Sequence, residues 1–267
     1  MQIELTIVNI FLPSFPGSPR GGRTRRGNTE RGCKENSTGY GIIKTTRERG
    51  FGKLLGGGRK GTIAERRTRH MQKNILVIEP LCGGKSSAQR IAELEGIPEI
   101  TEGELRLRKT PQGKPYLENS PFCVSISHSG EFWICVLSER EVGVDIERNR
   151  VCRYEKIAAR FFSSEEQQAV ASKGREMFFR IWAAKESRVK YTGEGLSSLR
   201  TFSCIDKGRF RKEIGGIPLL AGLWSGEYGF ALCGGALETE VWSRKTAGGK
   251  ILLQGDLQEM LSTADPK

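Results

Sequence analysis

The chain has 267 residues, 43 of them Lys or Arg and 31 Asp or Glu, for a formal charge of +12. That length allows one large domain or two small ones, while 37% hydrophobic content without a run of about 18 apolar residues excludes a membrane-spanning helix. Seven scattered cysteines (Cys33, Cys82, Cys123, Cys135, Cys152, Cys204 and Cys233), no CxxC pair and two histidines argue against a structural zinc site and for a reduced, cytoplasmic setting.

In chain order, the charge comes first. Residues 1–70 hold 15 basic and 5 acidic residues and 13 of the 34 glycines, whereas the remaining 197 residues net only +2. Such a segment cannot bury enough apolar surface to offset its ordering entropy, so residues 1–70 are expected to be a disordered basic leader. As a nucleic-acid arm it would act by counterion release, but the near-neutral body speaks against a nucleic-acid partner. Glu4 and the lack of a small-residue cleavage site after Phe15 argue against a signal peptide, and the glycines against an amphipathic transit peptide. Met71, just before the first apolar strand, is the preferred start, with 1–70 an upstream extension.

Ile75–Ile78 reads as a short strand. A loop over Leu81–Lys85 leads to a helix capped by Ser86 and reaching Glu95. Gly83-Gly84-Lys85-Ser86 has the context of a phosphate-binding loop, but the glycine needed five residues before Gly84 is Glu79, so an ordinary strand–helix turn is expected. After Gly113-Lys114-Pro115-Tyr116-Leu117 come strands at Phe122–His128, Phe132–Leu137 and Val142–Glu147, the first two joined by a turn at Ser129-Gly130-Glu131. A basic loop runs to Ile157–Phe162. Ser163 opens a helix with Glu166 in capping-box spacing, and a stronger helix spans Glu176–Tyr191 and ends at Thr192-Gly193. Short strands follow around Thr201–Ile205, Leu219–Trp224 and Tyr228–Cys233, and residues 241–267 show no motif. Hairpins with separated helices argue for an α+β fold rather than a parallel α/β sheet.

The chemistry centres on Val142-Gly143-Val144-Asp145-Ile146-Glu147. Alternation sends Val142, Val144 and Ile146 to one face and Gly143, Asp145 and Glu147 to the other, the two carboxylates about 7 Å apart along the strand. Hard oxygen ligands in this number suit Mg²⁺; the plainer reading is two solvated acids on a strand face. On the second helix, Phe178, Ile181, Trp182 and Val189 make one apolar arc, with Lys185 inside it and Glu186 at its edge. Charge on a buried face must be paired or bound to an ion. Either Glu186 pairs locally with Lys190 while Lys185 snorkels, or Glu186 is a third metal ligand and the lysines bind phosphate. His128, between Ser127 and Ser129 at a strand end, is either a satisfied core histidine or a group for a phosphate oxygen.

Gly113-Lys114-Pro115, Ser125-Ile126-Ser127-His128-Ser129, Val142–Glu147, Phe161-Phe162 with Glu166, and Trp182-Ala183-Ala184-Lys185-Glu186-Ser187 through Lys190, Gly193, Gly195 and Leu196 occur in one order over about residues 113–206. Each motif alone is weak, but the ordered set closely resembles the Sfp-type 4′-phosphopantetheinyl transferases. Ser125 stands where that family commonly has asparagine, and Arg188 where it has an aromatic.

The resemblance implies two similar α+β halves related by a pseudo-two-fold, residues 71–140 and 141–240, with the active site in the cleft between them and 241–267 as a C-terminal tail. It implies Mg²⁺-dependent transfer of phosphopantetheine from coenzyme A to a carrier-protein serine, releasing 3′,5′-ADP. By the matching motifs, Asp145, Glu147 and Glu186 would hold Mg²⁺. Lys114, His128, Lys185 and Lys190 would contact the nucleotide phosphates, with Gly113, Pro115 and Ser127 shaping that site. Glu186, or a water held by Glu147, would be the base, and Mg²⁺ with a lysine such as Lys185 would offset charge on the bridging oxygen. Glu166 matches a family glutamate near the metal, although its cap position alone explains it. Arg90, Arg106, Arg108 and Lys109 are candidates for the 3′-phosphate, though no motif aligns them. Arg148, Arg150, Arg153, Lys156 and Arg160 form either a solvated run or a salt-sensitive docking face for an acidic acyl or peptidyl carrier protein. Two halves in one chain imply a monomer. The alternative is a non-catalytic module binding coenzyme A or a carrier protein, which would not need a third carboxylate.

Overall fold

Apolar residues at every position of Ile75–Ile78 require cover on both faces, and the strand they form, β1 (Lys73–Pro80), lies centrally in a sheet. The computed structural model describes residues 73–94, 97–100, 105–118, 120–244 and 250–261, all within one unit spanning His70–Lys267. The expected leader, residues 1–70, and Met71 lie outside the described residues.

Ser86 caps helix α1 (Ser87–Ala92) through a capping box with Gln89. The hairpin β2 (Arg106–Lys109) and β3 (Pro115–Glu118) follows, and then β4 (Cys123–Ser129) and β5 (Phe132–Ser138). β6 (Val142–Arg148) opens the second sheet. Two helices come next, α2 (Tyr154–Phe161) and α3 (Ser164–Thr192). α3 is interrupted at Gly174, whose φ of 73° separates the two helical segments read in the sequence. Gly193, in the left-handed conformation, ends it. A 3₁₀ turn at Leu196–Arg200 leads to the short strands β7 (Ile205–Asp206), β8 (Arg209–Phe210) and β9 (Glu213–Ile214), then to β10 (Ile217–Trp224) and β11 (Tyr228–Gly234). β12 (Glu238–Arg244), β13 (Ile251–Asp256) and α4 (Leu257–Met260) follow.

The mixed α+β class is as expected. The first sheet has the order β13-β12-β1-β5-β4 and the second β6-β11-β10-β9. The same connectivity recurs in both: a first strand, β1 or β6, pairs antiparallel with the second strand of a later hairpin, β4–β5 or β10–β11. Val142, Val144 and Ile146 face a core shared with Leu76, Ile78, Ile134 and Val136 of the first sheet. The opposite face of β6 lies against α3.

Three features differ from the sequence reading. The basic stretch after β6 is largely helical, because Ile157, Ala158 and Phe161 recur at helical spacing and turn inward. The hairpin strand β2 is masked in sequence by its charges, Arg106, Arg108 and Lys109. The segment set aside as a tail supplies most of β12 and all of β13, and the boundary at 240 falls inside a strand. β12 pairs parallel with β1, Lys73 opposite Glu238, a partner too distant in sequence for any local pattern to show. A buried Glu79–Arg90 ion pair, joined by Arg244 from β12, ties this strand to the end of β1. Glu79, the residue that breaks the phosphate-loop pattern, is thus an internal counter-ion.

Candidate active site

The site is built where α3 rests on β6. Gly143 makes the contact possible: a Cβ there would overlap the Ser187 carbonyl oxygen and lie 2.5 Å from the Tyr191 backbone nitrogen. Gly229, opposite Glu147 on β11, does the same beneath Phe179. With the helix backbone directly on the sheet, Glu186 and Lys190, one turn apart, come down beside Asp145.

Asp145 is nearly fully buried, and its Oδ1 accepts hydrogen bonds from Lys190 Nζ at 2.7 Å and Ser127 Oγ at 2.6 Å. Lys190 also donates to the Ile126 carbonyl at 3.2 Å. Glu147 Oε2 accepts from Ser129 Oγ at 3.1 Å. Asp145 Oδ2 and Glu186 Oε1 are buried without a hydrogen-bond partner. Of the two readings for Glu186, the local pair with Lys190 is not formed; Lys190 salt-bridges Asp145 instead.

The electrostatics follow from three acids around one cation. Burial, then the Asp145 charge, pushes the Glu147 carboxyl up to about 7. The same two causes in the same order push Glu186 up to about 8, partly opposed by Lys190. Orphaned carboxylate oxygens in a cluster that resists ionising are the donors a hard divalent cation takes. As the side chains stand, no three His, Cys, Asp or Glu groups among the described residues close on one point as a finished metal site. The fit to Mg²⁺ is therefore one of donor chemistry and charge, with Lys190 the resident counter-ion of Asp145.

Lys185 departs from expectation. It is completely buried, pairs with Glu166 at 3.0 Å, and donates to the carbonyls of Leu199 at 2.7 Å and Phe202 at 2.8 Å. Those contacts use all three ammonium protons, and the rings of Phe162 and Phe202 stand over the group. Lys185 neither snorkels nor reaches toward Asp145; in this arrangement its ammonium is the counter-ion of Glu166. Glu166 shares this structural role: it completes the Ser163 capping box and accepts from the Cys204 amide at 2.7 Å.

Lys114 Nζ bonds Glu141 and the Tyr191 carbonyl at the end of α3, rather than opening to solvent. Gly113, with φ of 91°, and Pro115 shape the β2–β3 turn. His128 is half-buried and, by strand alternation, lies on the face opposite Ser127. Arg90 is committed to Glu79, which removes it from the 3′-phosphate candidates, whereas Arg106, Arg108 and Lys109 are exposed on β2. Arg148, Arg150, Arg153, Lys156 and Arg160 are all exposed, and Val151 among them is 88% exposed. Sequence reasoning missed Ser129 as a carboxylate partner; the signal available was serine at positions 125, 127 and 129, on one face of a strand.

The segment that carries this helix–strand junction matches a known family. Residues 141–233 match the family model described as the 4′-phosphopantetheinyl transferase superfamily. That segment contains β6, α3, all but the last residue of β11 and every member of the carboxylate cluster. Among particular relatives, the chain is 34% identical over 104 residues to the 4′-phosphopantetheinyl transferase Sfp of Bacillus subtilis, covering 37% of this chain and 46% of that protein. It is 36% identical over 119 residues to the 4′-phosphopantetheinyl transferase gsp of Aneurinibacillus migulanus, covering 43% and 49%. It is 31% identical over 134 residues to the L-aminoadipate-semialdehyde dehydrogenase-phosphopantetheinyl transferase of Rattus norvegicus, covering 43% and 42%. The matched stretch thus spans about half the length of these relatives, and over it the resemblance to Sfp-type transferases holds. Among the described residues no helix is long and apolar enough to cross a membrane.

Proposed function

We propose that the chain transfers the 4′-phosphopantetheine group of coenzyme A to a serine of an apo carrier protein and releases 3′,5′-ADP. The observation that carries this reading is the cluster of Asp145, Glu147 and Glu186 around Lys190, within the segment shared with the transferases. Recurrence of one strand connectivity in both sheets supports two halves related by a pseudo-two-fold; the proposal puts the reacting groups in a cleft between them and has one chain acting as a monomer in the cytoplasm.

Asp145, Glu147 and Glu186 would hold Mg²⁺, which when bound draws negative charge off the pyrophosphate oxygens. The chain's own residues orient the reactants. Lys190 and, once released from Glu141, Lys114 offer cations to the phosphates, with His128, Ser127, Gly113 and Pro115 around the nucleotide end. Exposed Arg106, Arg108 and Lys109 suit the 3′-phosphate. The carrier serine attacks the β-phosphorus, its O–P bond forming as the bond to the bridging oxygen breaks and 3′,5′-ADP departs. Glu186, or a water held by Glu147, takes the serine proton. The exposed cations from Arg148 to Arg160 dock the acidic carrier.

The test is the intact mass of an apo acyl carrier protein after incubation with this protein, coenzyme A and Mg²⁺, with an EDTA control. A gain of one phosphopantetheine, lost with EDTA, is the expected result. No gain across fatty-acid, polyketide and peptide-synthetase carriers, with coenzyme A binding intact, would replace this reading with the binding module.

A further inference from the structure

Among the described residues the outer edge of β6 has no strand partner; its amides are met by hydroxyls. Val144 N donates to Ser125 Oγ at 3.0 Å, Ile146 N to Ser127 Oγ at 3.5 Å and Arg148 N to Ser129 Oγ at 3.0 Å. The three serines, alternate along β4, close the seam between the two sheets. A serine hydroxyl that accepts from an amide still has one proton to place. Ser127 places it on Asp145 Oδ1 and Ser129 on Glu147 Oε2.

We propose that Ser127 and Ser129 are positioning residues that fix the two β6 carboxylates from the first sheet. Resting on the proposed function, this adds how the acids are aimed. Each hydroxyl takes one carboxylate oxygen and, at Asp145, leaves the other, Oδ2, as the buried oxygen without a partner. The amide bond anchors the hydroxyl, so the carboxylate's orientation is set by the register of β4 on β6. Groups that orient ligands from behind in this way typically contribute about 10–100-fold in metal affinity.

The test uses Mn²⁺ as probe, its free concentration followed by paramagnetic resonance, on the full chain with coenzyme A present. Ser127→Ala and Ser129→Ala are expected to weaken Mn²⁺ binding about 10-fold or more, and Ser129→Thr to restore it. Amide exchange at Arg148 is expected to quicken in Ser129→Ala and recover in Ser129→Thr. Should Ser127→Ala fail to fold, the partly exposed Ser129 gives the same readout. Unchanged Mn²⁺ affinity in a folded Ser129→Ala, with a wild type that binds Mn²⁺ and transfers phosphopantetheine, overturns the positioning role alone. A wild type that binds no Mn²⁺ overturns it as well, and one that also transfers nothing takes the proposed function with it.

Discussion

Gly143→Ala isolates the contact on which the site depends. The added methyl group meets two backbone atoms, the Ser187 carbonyl oxygen, which it would overlap, and the Tyr191 nitrogen at 2.5 Å. Ordinary contact needs about 3.4 Å, so helix and strand must separate by at least about 1 Å. Neither atom belongs to a flexible side chain that could swing aside. Overpacking of this kind costs about 1–3 kcal/mol, against a gain of about 0.4–1 kcal/mol from a less flexible unfolded chain. At mid-range the loss exceeds the gain by about 1.3 kcal/mol, and at about 2–4 °C per kcal/mol for a body of this size the melting temperature should fall by roughly 3–5 °C. Function should suffer more, because the same displacement lengthens the 2.7 Å bond from Lys190 to Asp145 and lifts Glu186. A misplacement near 1 Å is worth about 100-fold in rate. Scanning calorimetry and carrier-mass kinetics on purified Gly143→Ala measure both. Wild-type melting together with wild-type transfer would refute the claim that direct helix–strand contact sets the site.

Three further outcomes are expected. Lys185→Met leaves Glu166 buried and uncompensated, which costs about 3–5 kcal/mol; adding Glu166→Gln should recover part of the lost melting temperature, and no recovery would refute the pair as the cause. In EDTA, stability should decline as pH rises from about 5 through 8. Glu147 and Glu186 titrate near 7 and 8 when folded against 4.5 otherwise, so the folded state binds more protons across that window. Glu186→Gln should flatten the slope and abolish most transfer, and a melting temperature that climbs with pH would contradict the assignment. Reversing Lys156 and Arg160 to Glu should raise KM for an acidic carrier and weaken its salt dependence while sparing kcat; an unchanged KM would move the docking face elsewhere.

Local pattern was enough for β1, β4, β5, β6, β10 and β11 and for what lies on them. Alternation in Val142–Glu147 put the valines in the core and the acids on the other face, and the arc from Phe178 to Val189 placed Lys185 and Glu186 on the buried side, because periodicity records which face is covered. Serine caps at 86 and 163 marked helix starts for the same local reason. The partner of each buried charge was not legible. Lys185 and Lys190 lie five residues apart on one helix, yet one closes on Glu166 and the other on Asp145. That choice depends on the break at Gly174, which separates the segment carrying Glu166 from the one carrying Lys185, and on β6, which meets the helix only through the tertiary fold. The parallel strand β12 and the serine seam were hidden likewise, since each joins segments that no periodicity relates. The sequence by itself determined the faces and the chemistry available on them; the tertiary structure decided which charges meet, because the pairing energy of a buried ion depends on the particular group across the interface.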